Sequence, residues 1–355
     1  MRKSLVIPAL LALIADPGLL AAQARSGVRV LVYHDMEGLA GQDDPNTFRF
    51  DHPNDYPKGR QFLVADINAV IAGLFDGGAT EVFVVDAHGS GNPEPDVPAG
   101  ALDQRAKQIF LDRPFAPYVD LVAPNSYDAI AVVGMHAKTG SKGFASHTFT
   151  LGIALELNGK EITESELIGY SWGRQNVPLI FASGDDRLQN DLKTMPWIEF
   201  VVTKRATSAS TAELRPVAEV HAEMKTAAAR AVRNRANAKA MTLPSPVKAA
   251  MRVVPPASLE PLKGIPGITY ADNRAEFEAK DFGSAYEGWM ALLNVARLAY
   301  SQVLQEAITA RPDAAALRLD FSNRLFARWM DFESGRWTPP ARPAPAAGRK
   351  YHGSN

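Results

Sequence analysis

The 355-residue sequence contains no cysteine. Disulfides, thiolate metal sites and a cysteine nucleophile are thereby excluded, and any metal must be held by His, Asp, Glu or backbone oxygen. A dominant charge is missing as well: 38 Lys and Arg stand against 39 Asp and Glu, a formal net charge of −1. That balance provides no electrostatic footprint for nucleic acid and no strong attraction to an anionic membrane, so no nucleic-acid partner is expected. Long apolar runs are also absent. The nearest approach is the N-terminal stretch from Leu5 to Ile14, which Asp16-Pro17-Gly18 interrupts well short of the ~20 apolar residues a membrane span needs. Arg2 and Lys3 precede it, and Ala22-Gln23-Ala24 fits a small-x-small cleavage pattern with Arg25 as the first mature residue. Residues 1–24 therefore read as an export signal rather than an uncleaved anchor. The expected location is periplasmic or secreted, with no stable membrane insertion after cleavage.

The chain is 46% hydrophobic and long enough for a large buried core in one or two domains. Val28–Tyr33, Glu81–Val85 and Ala129–Val133 are short apolar runs rich in β-branched residues, the pattern of buried strands. Residues 39–58 are dense in Gly, Asp, Pro and Asn and read as a loop. The spacing over 62–75 predicts a helix ended by Gly77-Gly78, and the strand–helix–strand order predicts a crossover in a parallel sheet. Asn158-Gly159 marks a hairpin turn after Ala154–Leu157. A helix is expected over 164–175, a strand over 178–182, a turn at Gly184-Asp185-Asp186, a helix pattern over 213–240, a strand near 249–254, and one long helix from about Ser284 to Thr309. The fold class is α/β, a mostly parallel sheet flanked by helices with a C-terminal α+β portion. The expected divisions are residues 25–205, an α/β metal-binding catalytic domain; 206–335, an α+β domain; and 336–355, a Pro/Ala-rich tail.

A polar cluster follows each of the three apolar runs: His34-Asp35-Met36-Glu37-Gly38, Asp86-Ala87-His88-Gly89 and Gly134-Met135-His136. In open α/β sheets, ligands bind outside the carboxyl ends of the strands. In extended chain Asp35 and Glu37 point the same way, and His34 and Met36 the other. Two carboxylates on one face repel unless a cation or shared proton compensates, and adding the imidazoles of His88 and His136 makes a mixed N/O set suited to Zn²⁺, with Mn²⁺ and Co²⁺ as alternatives. Taken singly, each motif has a plainer meaning: Asp35-x-Glu37 a cap with a salt bridge, the histidines ordinary loop residues, Glu164 a carboxylate at a helix N-terminus. The common placement of the three clusters at strand ends favours the metal.

Asp35-Met-Glu-Gly38, Asp86-Ala-His88, Gly134-Met-His136, Ser146-His147, Asn158 through Glu164 and Gly184-Asp-Asp186 resemble, in order, motifs of the D-aminopeptidases of the bacterial dipeptide-transport operon type. The resemblance runs from about Val28 to Val202 and more weakly to Thr309. It implies a cocatalytic zinc peptidase with two divalent ions, held by Asp35, Glu37, His88, His136 and a glutamate. Asp35 is the implied bridge. The register from Asn158 selects Glu164, with Glu161 and Glu166 as alternatives. His147 is the implied catalytic histidine, a proton shuttle or a donor to the developing oxyanion. Family members form ring-shaped homo-oligomers, so the same is expected here.

The expected reaction is hydrolysis of the amide after the N-terminal amino acid of a short peptide, with a D residue in view. The rivals are another metal-dependent amidase or esterase on the same scaffold and a catalytically inactive periplasmic metal- or peptide-binding protein. Asp86 reads either as an orienting group for His88 or as a cap. His34 reads as structural, because it faces away from Asp35. Ser90 lacks the full G-x-S-x-G elbow of a serine hydrolase. Lys204 and Arg205 read as a solvated surface pair, or as a clamp for a substrate carboxylate.

Overall fold

The computed structural model describes residues 27–336 and 338, except 90, 91, 93 and 112–117. The expected signal segment, Ser90 and nearly all of the expected tail lie outside the described residues. Seven strands build the main sheet: β1 (Arg29–His34), β2 (Glu81–Asp86), β3 (Ala106–Ile109), β4 (Ala129–Met135), β7 (Leu179–Asp185), β8 (Glu199–Ala206) and β9 (Ala212–Leu214), in the order β3-β2-β1-β4-β7-β8-β9. All neighbours are parallel except β8 and β9. Parallel strands are covered on both faces, which is why β1 and β4 read as unbroken apolar runs and why β4 is buried along its whole length. The chain builds β1 to β3 outward on one side, then returns to the other side of β1 with β4. That reversal is a topological switch point, where the loops leaving β1 and β4 part.

Helices α1 (Tyr56–Asp76) and α4 (Val217–Asn234) cover one face, with Leu63, Ile67, Val70, Val220, Met224 and Ala228 in the same core as Val30, Val32 and Ala131. The other face packs on α2 (Glu164–Gly173) and on a second, antiparallel sheet. That sheet contains β5 (Ile153–Leu157), β6 (Lys160–Ile162), β10 (Val247–Val253), β11 (Thr269–Ala271) and β12 (Arg274–Ala279), ordered β11-β12-β10-β5-β6, and is backed by α5 (Phe282–Ala296). Its strands come from both sides of residue 205, because β10 pairs with β5, while α4 belongs to the first sheet's helical layer. The two portions expected from sequence thus share layers and core.

Several boundaries differ from expectation for identifiable reasons. The helix expected from residue 62 begins at Tyr56, since Pro57 occupies the first helical turn where a missing N–H costs nothing. Strand β7 runs through Gly184 to Asp185, and no turn forms there. Asp185 instead caps α3 (Asp186–Asp191), accepting from the Arg187 and Leu188 N–H groups at 3.0 and 2.8 Å. The long helix expected over 284–309 breaks at a 3₁₀ turn, Arg297–Ala299, before α6 (Tyr300–Thr309). At that break the Ser258 N–H takes the Ala296 carbonyl (3.2 Å), an outside donor interrupting the helical ladder. The Asn158-Gly159 turn forms as read, with φ of 49° and 79° joining β5 to β6. Among the described residues no helix is long and apolar enough to cross a membrane.

Candidate metal centre

The ends of β1 and β4 are held in backbone contact. The Asp35 N–H donates to the Val133 carbonyl (2.8 Å) and the Gly38 N–H to the Gly134 carbonyl (2.7 Å). Two glycines make this approach feasible: a Cβ on Gly38 would lie 1.9 Å from the Met135 carbonyl oxygen, and Gly134 has φ of +71°. Asp35 and Glu37 therefore leave β1 in a turn rather than in extended chain, directly beside His136. The turn, not strand alternation, brings the two carboxylates together. The Met36 N–H donates to both carboxylates, at 2.7 Å to Asp35 and 3.2 Å to Glu37.

Six side chains converge at the switch point. Asp35, Glu37 and His88 form one group; Asp35, His136 and Glu164 form a second; Glu37, His136 and His147 form a third, with donor atoms in each group within 4.8 Å of one another. Asp35 is common to the first two. The His136 Nε2 lies 3.3 Å from Asp35 Oδ2 and 3.7 Å from Glu164 Oε1, and the His88 Nε2 lies 3.5 Å from Glu37 Oε1. The Nδ1 side of every ring is engaged elsewhere: His136 with the Ala137 carbonyl (3.0 Å), His147 with the Ala145 carbonyl (2.7 Å), His88 with Asp96 Oδ2 (2.9 Å). A carbonyl only accepts, so Nδ1 of His136 and His147 carries the proton and Nε2 of the neutral ring carries a lone pair. The buried Asp35 Oδ2 and His136 Nε2 have no hydrogen-bond partner. Buried polar atoms are normally satisfied, and two orphans facing each other among carboxylates fit a cation. The donor set of imidazole nitrogens and carboxylate oxygens suits zinc.

Glu164 is brought in by α2, whose first turn is fixed by a capping box between Thr163 and Glu166. Its Oε1 accepts from the Phe149 N–H (2.7 Å) and its Oε2 from the Tyr118 hydroxyl. The alternatives are occupied elsewhere: Glu161 pairs with Arg252, and Glu166 completes the capping box. Asp86 accepts from the backbone N–H groups of His88 (2.8 Å) and Gly89 (3.3 Å), so it shapes the turn that carries His88. His34 is buried behind the site, 4.0 Å from Asp86.

The surface-pair reading of Lys204 and Arg205 fails for the lysine. Register in β8 slips between the Gly184–Val202 and Asp185–Lys204 pairs, leaving Thr203 as an extra residue. Such a bulge breaks side-chain alternation, and both Thr203 and Lys204 turn inward. The Lys204 Nζ donates to the Glu37 carbonyl (2.6 Å), the Gln42 carbonyl (3.0 Å) and Gln42 Oε1 (2.9 Å), and lies 3.9 Å from the centre of the Phe144 ring. It holds the backbone beneath the carboxylates and cannot meet a substrate. Arg205 is exposed and pairs with Glu213. Asp96 and Tyr118 were not singled out by sequence. Asp96 sits in a Pro-rich loop, and only its distance from His88 along the fold, not along the chain, reveals its role.

The electrostatics follow from crowding acids and imidazoles in a dry site. Burial, and then the neighbouring Glu37 charge, push Asp35 up. Burial would raise Glu37 too, but His88, Asp35 and His136 outweigh it and bring Glu37 to about 2. Burial alone would lower His136, yet Asp35, Glu164 and Glu37 raise it to about 10. The carboxylates demand positive charge, and a proton or a metal ion competes to supply it. His147 is the exception: burial, then the adjacent His136, hold it at about 4, so it stays neutral at pH 7.

A doubly wound sheet that gathers carboxylates and imidazoles at its switch point defines a metallohydrolase. The chain belongs to the D-aminopeptidase family, peptidase family M55, whose sequence profile matches residues 28–291. It is 26% identical over 274 residues to a D-aminopeptidase of Bacillus subtilis (strain 168), covering 74% of this chain and 95% of that protein. Its fold is similar to that of the Zn-dependent D-aminopeptidase DppA from Bacillus subtilis, described as a self-compartmentalizing protease. The TM-score is 0.68 and the identity 23%, over 76% of this chain and 98% of the other.

Proposed function

We propose that this protein is a zinc-dependent aminopeptidase that releases the N-terminal residue, D-configured in its preferred substrates, from short peptides. The observation that carries this reading is Asp35, shared between the Glu37–His88 group and the His136–Glu164 group. Asp35 would bridge two divalent ions, with Glu37 and His88 completing one position and His136 and Glu164 the other. Two ions in such a set would supply Lewis-acid polarisation of a carbonyl and an acidified water.

The chain's own residues do the rest. His147, neutral and with Nδ1 tied to Ala145, presents Nε2 to take a proton from the attacking water and return it to the leaving amine. Tyr118 and the Phe149 N–H fix Glu164; Asp96 fixes the His88 ring. The acidic cluster would also attract the free α-amine of a peptide, and an N-blocked peptide would lose that attraction. Action outside the cytoplasm accords with the signal pattern of residues 1–24. A closed homo-oligomer accords with the self-compartmentalizing relative.

The test is a panel of D- and L-aminoacyl amides, aminoacyl esters and N-acetylated peptides, run beside metal analysis. About two zinc ions per chain and hydrolysis of free-amine amides, D over L, are expected. Equal rates on N-acetylated peptides would overturn the aminopeptidase reading in favour of a general amidase or esterase. Bound metal without turnover of any substrate would mark a binding protein.

A further inference from the structure

The family match ends at residue 291, and the chain continues through α6 into α7 (Ala314–Glu333). No residue of α7 is buried, although it is rich in large apolar side chains: Phe321 is 68% exposed, Phe332 64%, Phe326 61% and Trp329 54%. At about 100° of turn per residue, Leu319, Phe321, Leu325, Phe326, Trp329 and Phe332 fall on one arc of roughly 180°. Asp320, Arg324, Arg328 and Asp331 fall on the opposite arc, where Asp320 and Arg324 pair at 2.8 Å. A contiguous apolar face of this size marks an interaction surface, and aromatic residues are enriched in the cores of such surfaces.

We propose that α7 pairs antiparallel with α7 of a second copy of this chain. Whatever covers the arc must itself be apolar. Outside α7 the described residues expose Phe50, Leu151, Leu214, Val217, Val254 and Ile265 as large apolar side chains, no two on a common helix, and a smaller aliphatic set in the 3₁₀ turn and α6, Leu298, Val303 and Leu304. The largest complementary surface on a second copy is therefore the same helix, the only one to expose several aromatic side chains among the described residues, as in a two-fold self-complementary interface. Charge fixes the direction. The apolar arc carries Arg318 near its N-terminal end and Glu333 at its C-terminal end. Antiparallel pairing centred between Leu325 and Phe326 sets Arg318 opposite Glu333 of the second copy, whereas parallel pairing sets Arg318 against Arg318. In the single chain Arg318 donates to Thr309 Oγ1, an exposed contact that the carboxylate would replace. The helix is also electrically balanced, Arg318, Arg324 and Arg328 against Asp320, Asp331 and Glu333, without the basic excess of helices that lie on anionic lipid.

The chain has no cysteine, so single introduced ones report contacts cleanly. In the full chain, L325C lies near the centre of the pairing and A327C on the opposite arc. Under mild oxidation, L325C copies should link at least about tenfold faster than A327C copies, because pairing raises the effective concentration of facing thiols. Adding R318E to L325C should slow linking about fivefold, and adding E333R as well should restore it. Equal rates for L325C and A327C would overturn the proposal, as would a charge swap that fails to restore linking. Flotation of the unmodified chain with zwitterionic vesicles, without preferential L325C linking, would overturn it in favour of a lipid surface.

Discussion

The rings of His136 and His147 stack with centroids 3.9 Å apart and planes 13° from parallel. Positive charge on His136, from a proton or from a bound cation, disfavours a second charge on His147. Burial, and then this neighbour, hold His147 at about 4, so it is neutral at pH 7. H147A should therefore lower kcat by about 10²–10⁴-fold, the range for a lost general base, with zinc content unchanged. Loss of metal in H147A, read by atomic emission, would show that His147 is a ligand rather than a proton carrier.

The His88 imidazole receives its orientation from Asp96, through Nδ1 at 2.9 Å, and Tyr56 donates in turn to Asp96. Groups that orient a ligand typically contribute 10–100-fold to metal affinity. D96N should weaken one of the two proposed metal positions by about that factor and leave the His136–Glu164 position loaded. D35A should weaken both, because Asp35 belongs to both groups. Titration with a zinc chelator separates the cases: D96N releases one ion early, D35A both. A D35A protein that keeps two tightly held ions would refute the bridging role.

Lys204 connects the catalytic layer to the sheet. Its ammonium is fully buried, and burial lowers it to about 7 despite the attraction of Asp185 and Glu37. K204M would keep the volume but strand the Glu37 and Gln42 carbonyls, at a cost of about 1–3 kcal/mol per unsatisfied group. The expected outcome is lower thermal stability together with a larger loss in kcat than in KM, since Glu37 loses its backbone anchor. Wild-type stability and kcat in K204M would show the three hydrogen bonds to be dispensable.

How much of this the sequence disclosed depends on the range of the contacts involved. The three strand-end clusters were legible because buried parallel strands are continuous apolar runs, and the residue after each run lies at the sheet edge by construction. Glu164 was reachable only through motif register, since its approach to His136 depends on how α2 packs against β4. Lys204 was misread because a Lys-Arg pair looks like surface until the bulge at Thr203 is known. Asp96 and Tyr118 hold His88 and Glu164 from 8 and 46 residues away in sequence, in segments with no periodicity to mark them. The helix break at Ala296 has no local signal either, because its cause is the distant Ser258 N–H.

The pairing of His221 on α4 with Asp66 on α1 predicts a pH-dependent stability distinct from the metal centre. His221 Nε2 and Asp66 Oδ1 are 2.8 Å apart, and the other Asp66 oxygen accepts from the Ala40 N–H (2.9 Å). The hydrogen bond to Asp66 raises His221, while burial pushes Asp66 itself up, so the carboxylate relies on His221 and Ala40 to remain charged. Because the folded-state value of His221 lies above its unfolded value near 6.5, the folded protein binds the extra proton. The stabilisation is complete below about pH 6.5 and is lost as pH rises through the folded value. A charge-assisted bond with the histidine partly exposed contributes on the order of 1 kcal/mol. Thermal unfolding at constant metal should therefore show H221Q about 2 °C below the unmodified protein at pH 6, with the gap closing at higher pH. A gap that widens with pH would mean that neutral histidine, not the charged form, holds Asp66, and would overturn the ion-pair reading.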